Sequence, residues 1–157
     1  MGALLSPPVG AVEGAETTGL TMDLRELVRA SDLIVRGRVV RITQGTHDTD
    51  VKVEALEVFK GDPGIVYAQI KHRGGKFLVD PDEPYFIGYE SVILFLKGEG
   101  DFYRCVFGKD GKKTIRNDNV YVQADNNFLT EKLKKYTQEL SRLIEAEKNS
   151  GILGHNT

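Results

Sequence analysis

The stretch SDLIVRGRVVRITQG, Ser31 to Gly45, decides the fold. Its first half alternates as a half-buried strand does, with Leu33, Val35 and Gly37 on one side and Ile34, Arg36 and Arg38 on the other. The alternation slips at Val39 and Val40, both apolar, and resumes one step late at Arg41 and Ile42. Such a slip sets two residues opposite one on the neighbouring strand, which is a β-bulge, and Gly37 relieves crowding where the strand bends. A strand bent this way pairs with one neighbour through its first half and another through its second. Closing a small barrel demands that of a first strand.

The next strand, DVKVEALEVFKG, repeats the device. Val51, Val53 and Ala55 alternate with Lys52 and Glu54, and then Leu56 and Val58 continue on a shifted phase. TQGTHDTD joins the two strands into a curled hairpin, and KGDPG (Lys60 to Gly64) ends it with Gly and Pro turn signals. IVYAQIK reads as a third strand. After it HRGGKFLVDPDEPYFIGYE forms the longest connection in the chain, and long connections carry function more often than short ones. SVILFLKG is a continuous apolar run, expected of a strand buried on both sides. EGD turns it back into FYRCVFG, and KDGK turns that into a strand over KTIRNDNVYVQ.

Helices flank these strands. Asp23 and Glu26 are spaced as a capping box, with Met22 and Leu27 as its hydrophobic staple, which predicts a short helix over Leu24 to Ala30. LTEKLKKYTQELSRLIEAEKNSG predicts a long closing helix with Thr130 as N-cap, a Glu131–Lys135 pair and Gly151 past its end. Leu133, Tyr136, Leu140, Leu143 and Ile144 form one apolar stripe that should pack on the barrel.

The whole is 157 residues, 40% hydrophobic, which suits one domain. Residues 1–20, free of Lys and Arg, read as a disordered leader, 21–150 as the single barrel domain with its C-terminal helix, and 151–157 as a flexible tail. A formal net charge of −2 provides no global field toward nucleic acid or an acidic membrane. No run approaches the roughly 20 apolar residues of a membrane helix. The one cysteine, Cys105, excludes an internal disulfide and reads as a buried, inert thiol.

No motif marks a reaction. His47, His72 and His155 lie at no metal-ligand spacing and read as exposed loop or tail residues. DPDEP gathers Asp80, Asp82 and Glu83 without the calcium-loop pattern, and reads as a solvated turn. The serine-elbow, phosphate-loop and dinucleotide fingerprints are missing. The positive feature is KHRGGK, where Lys71, His72, Arg73 and Lys76 surround Gly74–Gly75, a pair that lets backbone approach a ligand closely. Tyr67, Phe102 and Tyr103 on nearby strands supply a stacking surface for single-stranded nucleic acid or an anionic glycan.

SDLIVRGRVV, VKVEALEVFKGD, RGG and YESVILFLKGEGDFYRCVFGKDGKKTI, taken in this order over Leu24 to Val122, resemble a loose family of uncharacterised bacterial and archaeal exported domains. The barrel also looks like the OB-type, netrin-like module of tissue inhibitors of metalloproteinases. Those inhibitors depend on an N-terminal cysteine and several disulfides, so the likeness is one of fold. The exported family implies a place outside the cytoplasm and no catalytic residue.

The expectation is therefore a mainly β protein: a five- to six-stranded OB-like antiparallel barrel with a short N-terminal helix and a packed C-terminal one. It is expected to be a non-enzymatic extracytoplasmic binding module with no cofactor or metal, taking a protein or glycan partner over Lys71 to Gly88. The ligand-binding residues are Tyr67, Lys71, Arg73, Gly74, Gly75 and Tyr103. The alternatives are a cytosolic single-stranded nucleic-acid binder using Tyr67, Lys71, Arg73 and Tyr103, and a hydrolase using the loop carboxylates.

Overall fold

The computed structural model describes residues 23–124 and 127–155, and the expected leader, the Met22 arm of the staple and the last two residues of the tail lie outside them. Helix α1 (Leu24–Ala30) starts at Asp23, whose side chain accepts from the Arg25 amide at 3.0 Å. Glu26 does not complete the capping box, because its carboxylate bonds the Arg29 guanidinium one turn on. Strands β1 (Leu33–Gln44), β2 (Asp48–Lys60), β3 (Tyr67–Arg73), β4 (Ser91–Glu99) and β5 (Phe102–Cys105) close a five-stranded barrel in the order β1-β2-β3-β5-β4-β1. All these pairings are antiparallel except β3–β5.

Closure rests on the bends. In the β1–β2 ladder Val39 pairs with Val53 and Arg41 with Lys52, so Val40 is the extra residue, where the phase of the sequence slips. On β2 the extra residues are Leu56, half exposed, and Phe59, while Ala55 and Val58 stay against the core. β1 also pairs with β4 over Leu33 to Arg38. Gly37 lies on both ladders, opposite Ala55 and Val92, and a Cβ there would drive into the Glu54 carbonyl oxygen and stand 2.8 Å from Val53 Cγ1.

Two cores result. Val35, Val39, Val51, Val53, Ile70, Leu94 and Leu96 fill the barrel. Ile34, Ile93 and Phe95 face the other way, onto Leu27 and Val28 of α1 and onto Tyr136, Leu140 and Ile144 of the last helix. β4 therefore runs fully buried from Val92 to Leu96, its side chains going alternately to each core.

The C-terminal third departs from expectation in three ways. β5 and β6 (Lys112–Arg116) do not form a hairpin: both pair with β4, β6 on its first half and β5 on its second. Phe107 (φ 54°) and Gly108 (φ 63°) are both left-handed and redirect the chain through a 3-10 turn, Gly108–Gly111. KTIRNDNVYVQ is two strands, because Asn117 (φ 51°) and Asp118 (φ 62°) make a two-residue left-handed turn into β7 (Asn119–Ala124). Residues expected to open the helix form β8 (Asn127–Lys132) instead. Thr130 pairs with Tyr121 and Glu131 with Val120, so neither the Thr130 cap nor the Glu131–Lys135 pair exists. β7 needs a partner on its outer edge, and pairing satisfies its backbone. Helix α2 (Leu133–His155) starts later and runs on through Gly151, so the segment expected as tail is helical to His155.

Gly37→Ala is expected to destabilise the chain by about 1–3 kcal/mol, since the obstacle is β2 backbone. Urea unfolding measures it, and a loss below about 0.5 kcal/mol would show that the two strands can part at no cost.

Candidate functional site

Residues 74–90 are held by backbone contacts at both ends of the connection. The amides of Gly74, Lys76 and Phe77 donate to the carbonyls of His47, Gly45 and Thr46 at 2.7, 2.8 and 3.0 Å, docking the connection on the β1–β2 turn. Gly74 has φ 110°, and a Cβ on Gly75 would meet Gly45 O and lie 2.9 Å from Thr46. The Gly-Gly pair thus allows a close approach, but the approach is to the neighbouring turn of this chain. Farther on, the Lys109 amide donates to Asp82 O at 2.8 Å.

The last part is pinned by a buried ion pair. Lys112 Nζ lies 3.0 Å from Glu90 Oε2, and both side chains are about nine-tenths buried. Nζ also donates to the Tyr85 carbonyl at 2.5 Å and stands 5.1 Å from the Phe86 ring centre. Glu90 accepts from the Ile87 amide at 2.6 Å and from Thr114 Oγ1 at 3.3 Å. Phe86, buried, plugs the barrel mouth and stacks on His72 at 5.9 Å. His72 is accordingly half-buried rather than an exposed loop residue.

Around these anchors the same connection leaves Phe77, Val79, Tyr85, Ile87 and Tyr89 in solvent, the first three and Tyr89 between 78% and 88% exposed. Val79, Tyr85 and Ile87 border a cleft of about 710 Å³ whose walls also include Ile42, Gln44 and Gly75. Sequence reasoning missed this set, although the aromatic density of PYFIGYE in a Gly- and Pro-rich segment is a signal for it.

The predicted ligand residues do not converge. Tyr67 lies on the outer face of β3 with Lys52 Nζ 4.2 Å from its ring centre. Lys71, on the same face, pairs with Asp50 at 3.0 Å and stands 5.5 Å from the Phe102 ring. Tyr103 departs from the expected stacking surface: β5 alternates, so Phe102 and Arg104 face out while Tyr103 and Cys105 face the barrel core. Arg73 is bound at the loop, its amide donating to Glu83 Oε1 at 2.8 Å and its Nε 3.8 Å from Asp80 Oδ2. Asp80 also accepts from the Asp82 amide at 3.1 Å, so Asp80 and Glu83 hold the turn.

Three buried groups, Cys105, Lys113 and Tyr136, carry shifted protonation. Burial, reinforced by the Glu83 charge, pushes the Cys105 thiol up to about 12, which keeps it protonated and inert. Burial lowers the Lys113 ammonium from 10.5 to about 8, with the Asp110 charge opposing the change. Lys113 is 3% exposed and, among the described residues, has no ion pair and no side-chain hydrogen bond. Its phase beside Ile115 on β6, an apolar face, is the sequence signal that went unread.

The folded chain releases the Lys113 proton near pH 8 and the unfolded chain near 10.5. Stability therefore rises with pH through that window, while Cys105 and Tyr136, whose acidic protons burial retains, lower it above their unfolded values. Lys113→Met is expected to stabilise the chain at pH 7 by about 1–3 kcal/mol, an advantage that fades between pH 8 and 10.5. Urea unfolding of both proteins at each pH cancels the Cys105 and Tyr136 contributions, and a pH-independent difference would mean that Lys113 is not charged and buried.

No family model matches the chain, and no curated protein matches it.

Proposed function

We propose that this chain is a non-enzymatic binding module, acting outside the cytoplasm, that takes a protein or glycan partner on the connection between β3 and β4. The observation that carries the reading is the exposure of Phe77, Val79, Tyr85 and Tyr89 on backbone that is held in place. Large apolar groups on a fixed surface cost solvation in the free protein, and a partner that covers them gains that area without first ordering the loop. Tyrosines also provide rigid contact area at small entropic cost. A five-stranded barrel with a first strand paired on both edges supports an OB-type reading, and such barrels are used mainly for binding. The place outside the cytoplasm rests on the motif resemblance to exported domains. Among the described residues no helix is long and apolar enough to cross a membrane.

The outer face of β2, β3 and β5 favours the nucleic-acid reading through Tyr67, Phe102, Lys52, Lys71 and Arg104. Its cations are largely spent, however, since Lys71 is paired with Asp50 and Arg104 with Glu99, and phosphate binding needs them free.

Replacing Phe77, Val79 and Tyr85 together by Ser is expected to leave the unfolding midpoint within about 2 °C of the parent, because these side chains are exposed. The same variant is expected to lose at least about tenfold in capture of the partner by cross-linking in the exported fraction of source cells. Equal capture by parent and variant would sink the reading. Oligonucleotide binding at low salt that the triple variant keeps and Lys71→Ala loses would replace it with the nucleic-acid one.

A further inference from the structure

The β1–β4 ladder ends at Arg38, while the β1–β2 ladder runs on to Gln44 and the β2–β3 ladder to Arg73. Three strands therefore continue past the closed part of the barrel, and their inner face continues with them. Ile42, Val51 and Ile70 stand opposite one another on that face; Val51 and Ile70 are buried, but Ile42 is 37% exposed. An inner-face aliphatic side chain left in water at the rim of a core is a contact the fold does not complete. Val79, Tyr85 and Ile87 of the connection line the same cleft as Ile42, and its volume of about 710 Å³ lies within the range of binding pockets, roughly 300–1,000 Å³.

Most polar groups of the cleft are occupied within the chain. Thr49 Oγ1 donates to the Gly74 carbonyl at 2.6 Å, and His72 Nδ1 to the Arg73 carbonyl at 2.8 Å. Arg73 is held by Asp80 and Glu83, so no free cation waits for an anionic group. The groups that remain, chiefly the Gln44 amide and the Tyr85 hydroxyl, are too few to replace the water around a sugar's hydroxyls. An apolar side chain gives up no such bonds on entering. Around the cleft, Phe77 is 79% exposed, and Tyr85 and Tyr89 are each 78% exposed. An aromatic side chain presents about 150–250 Å², so these three leave on the order of 400–600 Å² in solvent, half or more of the roughly 800 Å² that a specific protein interface covers on each partner.

We propose that the partner is a protein that anchors itself by inserting one large, uncharged apolar side chain into the cleft, against Ile42, Val79 and Ile87. This rests on the connection being a binding face, and it selects protein over glycan as what that face takes. The anchor completes the row that Ile42 leaves open, and the aromatic residues around the cleft exclude water from it, which is how a few central side chains come to dominate an interface.

The probes are N-acetyl-phenylalaninamide, N-acetyl-leucinamide, N-acetyl-glutaminamide and N,N′-diacetylchitobiose, titrated into the full chain labelled on Ile and Val methyl groups and followed by NMR. The expected result is a saturable shift of the Ile42, Val79 and Ile87 methyl signals, half complete by about 30 mM of at least one of the two apolar amides. Ile42→Ser is expected to abolish that saturation. A Cβ at Gly88, on the cleft wall, meets nothing within 4 Å, so Gly88→Leu puts bulk into open space without disturbing the fold, and it is expected to block the probe as well. No saturable shift with either apolar amide, or binding that both variants keep, overturns the proposal. The glutamine amide binding as tightly as the apolar ones also overturns it, and diacetylchitobiose binding more tightly than both would assign the face to a glycan instead. Phe77 and Tyr89 do not line the cleft, so Phe77→Ser and Tyr89→Ser are expected to bind the apolar probes as the parent does. Partner capture lost on replacing Phe77, Val79 and Tyr85, in a protein that binds neither apolar amide, would leave the binding face standing and remove only the anchor.

Discussion

Everything in this molecule depends on one strand pairing on both of its edges. β1 meets β2 on one side and β4 on the other, and the contact is close enough at Gly37 that no side chain fits. The bulges at Val40 and Leu56 supply the curl that lets both ladders form, and with it the barrel closes without a free edge among its five strands. Closure also divides the apolar residues. β4, caught between β1 and the strands on its other edge, sends Val92, Leu94 and Leu96 inward and Ile93 and Phe95 outward. The outward set obliges α1 and α2 to dock, and Lys60 fastens them by bonding both the Val28 carbonyl and Glu147 at 2.9 Å.

The connection between β3 and β4 inherits its shape from that scaffold. It must cross the open mouth of the barrel, and Phe86 fills that mouth. Glu90 and Lys112 neutralise each other beside the plug, with backbone groups and Thr114 satisfying the remaining valences, which is the arrangement a buried pair needs to hold its place. With the backbone occupied in this way, the intervening side chains have nowhere to go but outward. The exposed aromatic set is thus a consequence of anchoring, and it is presented in a fixed geometry suited to recognition.

The same anchoring separates two kinds of chemistry. The cleft side of the connection is bordered by Val79, Tyr85 and Ile87, and the side toward β6 by Lys109, Lys112 and Arg116, while Lys113 lies on the opposite face of β6, buried at a cost to stability. Cys105 shows the contrast: it is equally buried, but protonated and neutral, and it acts as a small core residue.

Much of the barrel was legible in the sequence because it is encoded by local patterns. The slip at Val39–Val40, the alternation of β3 and the unbroken apolar run of β4 each imply one burial pattern, and α1 follows from Asp23 and its apolar spacing. The strands beyond Cys105 were less legible. Thr130 and Glu131 look equally suitable for a helix start, and only the unpaired edge of β7 makes them a strand. Likewise, Asn117–Asp118 required two left-handed residues in succession to be read as a turn. For the site, the sequence by itself determined which residues are chemically capable: the Gly-Gly pair, the cations, the aromatic residues of PYFIGYE. Tertiary structure decided what each one meets. It gave Gly75 to the Gly45 turn, Lys71 to Asp50 and Tyr103 to the core, and it left Lys113 buried and Tyr85 exposed. The physical reason is that side-chain identity sets what a group can bond, while the partners that compete for it come from strands and loops distant in the chain.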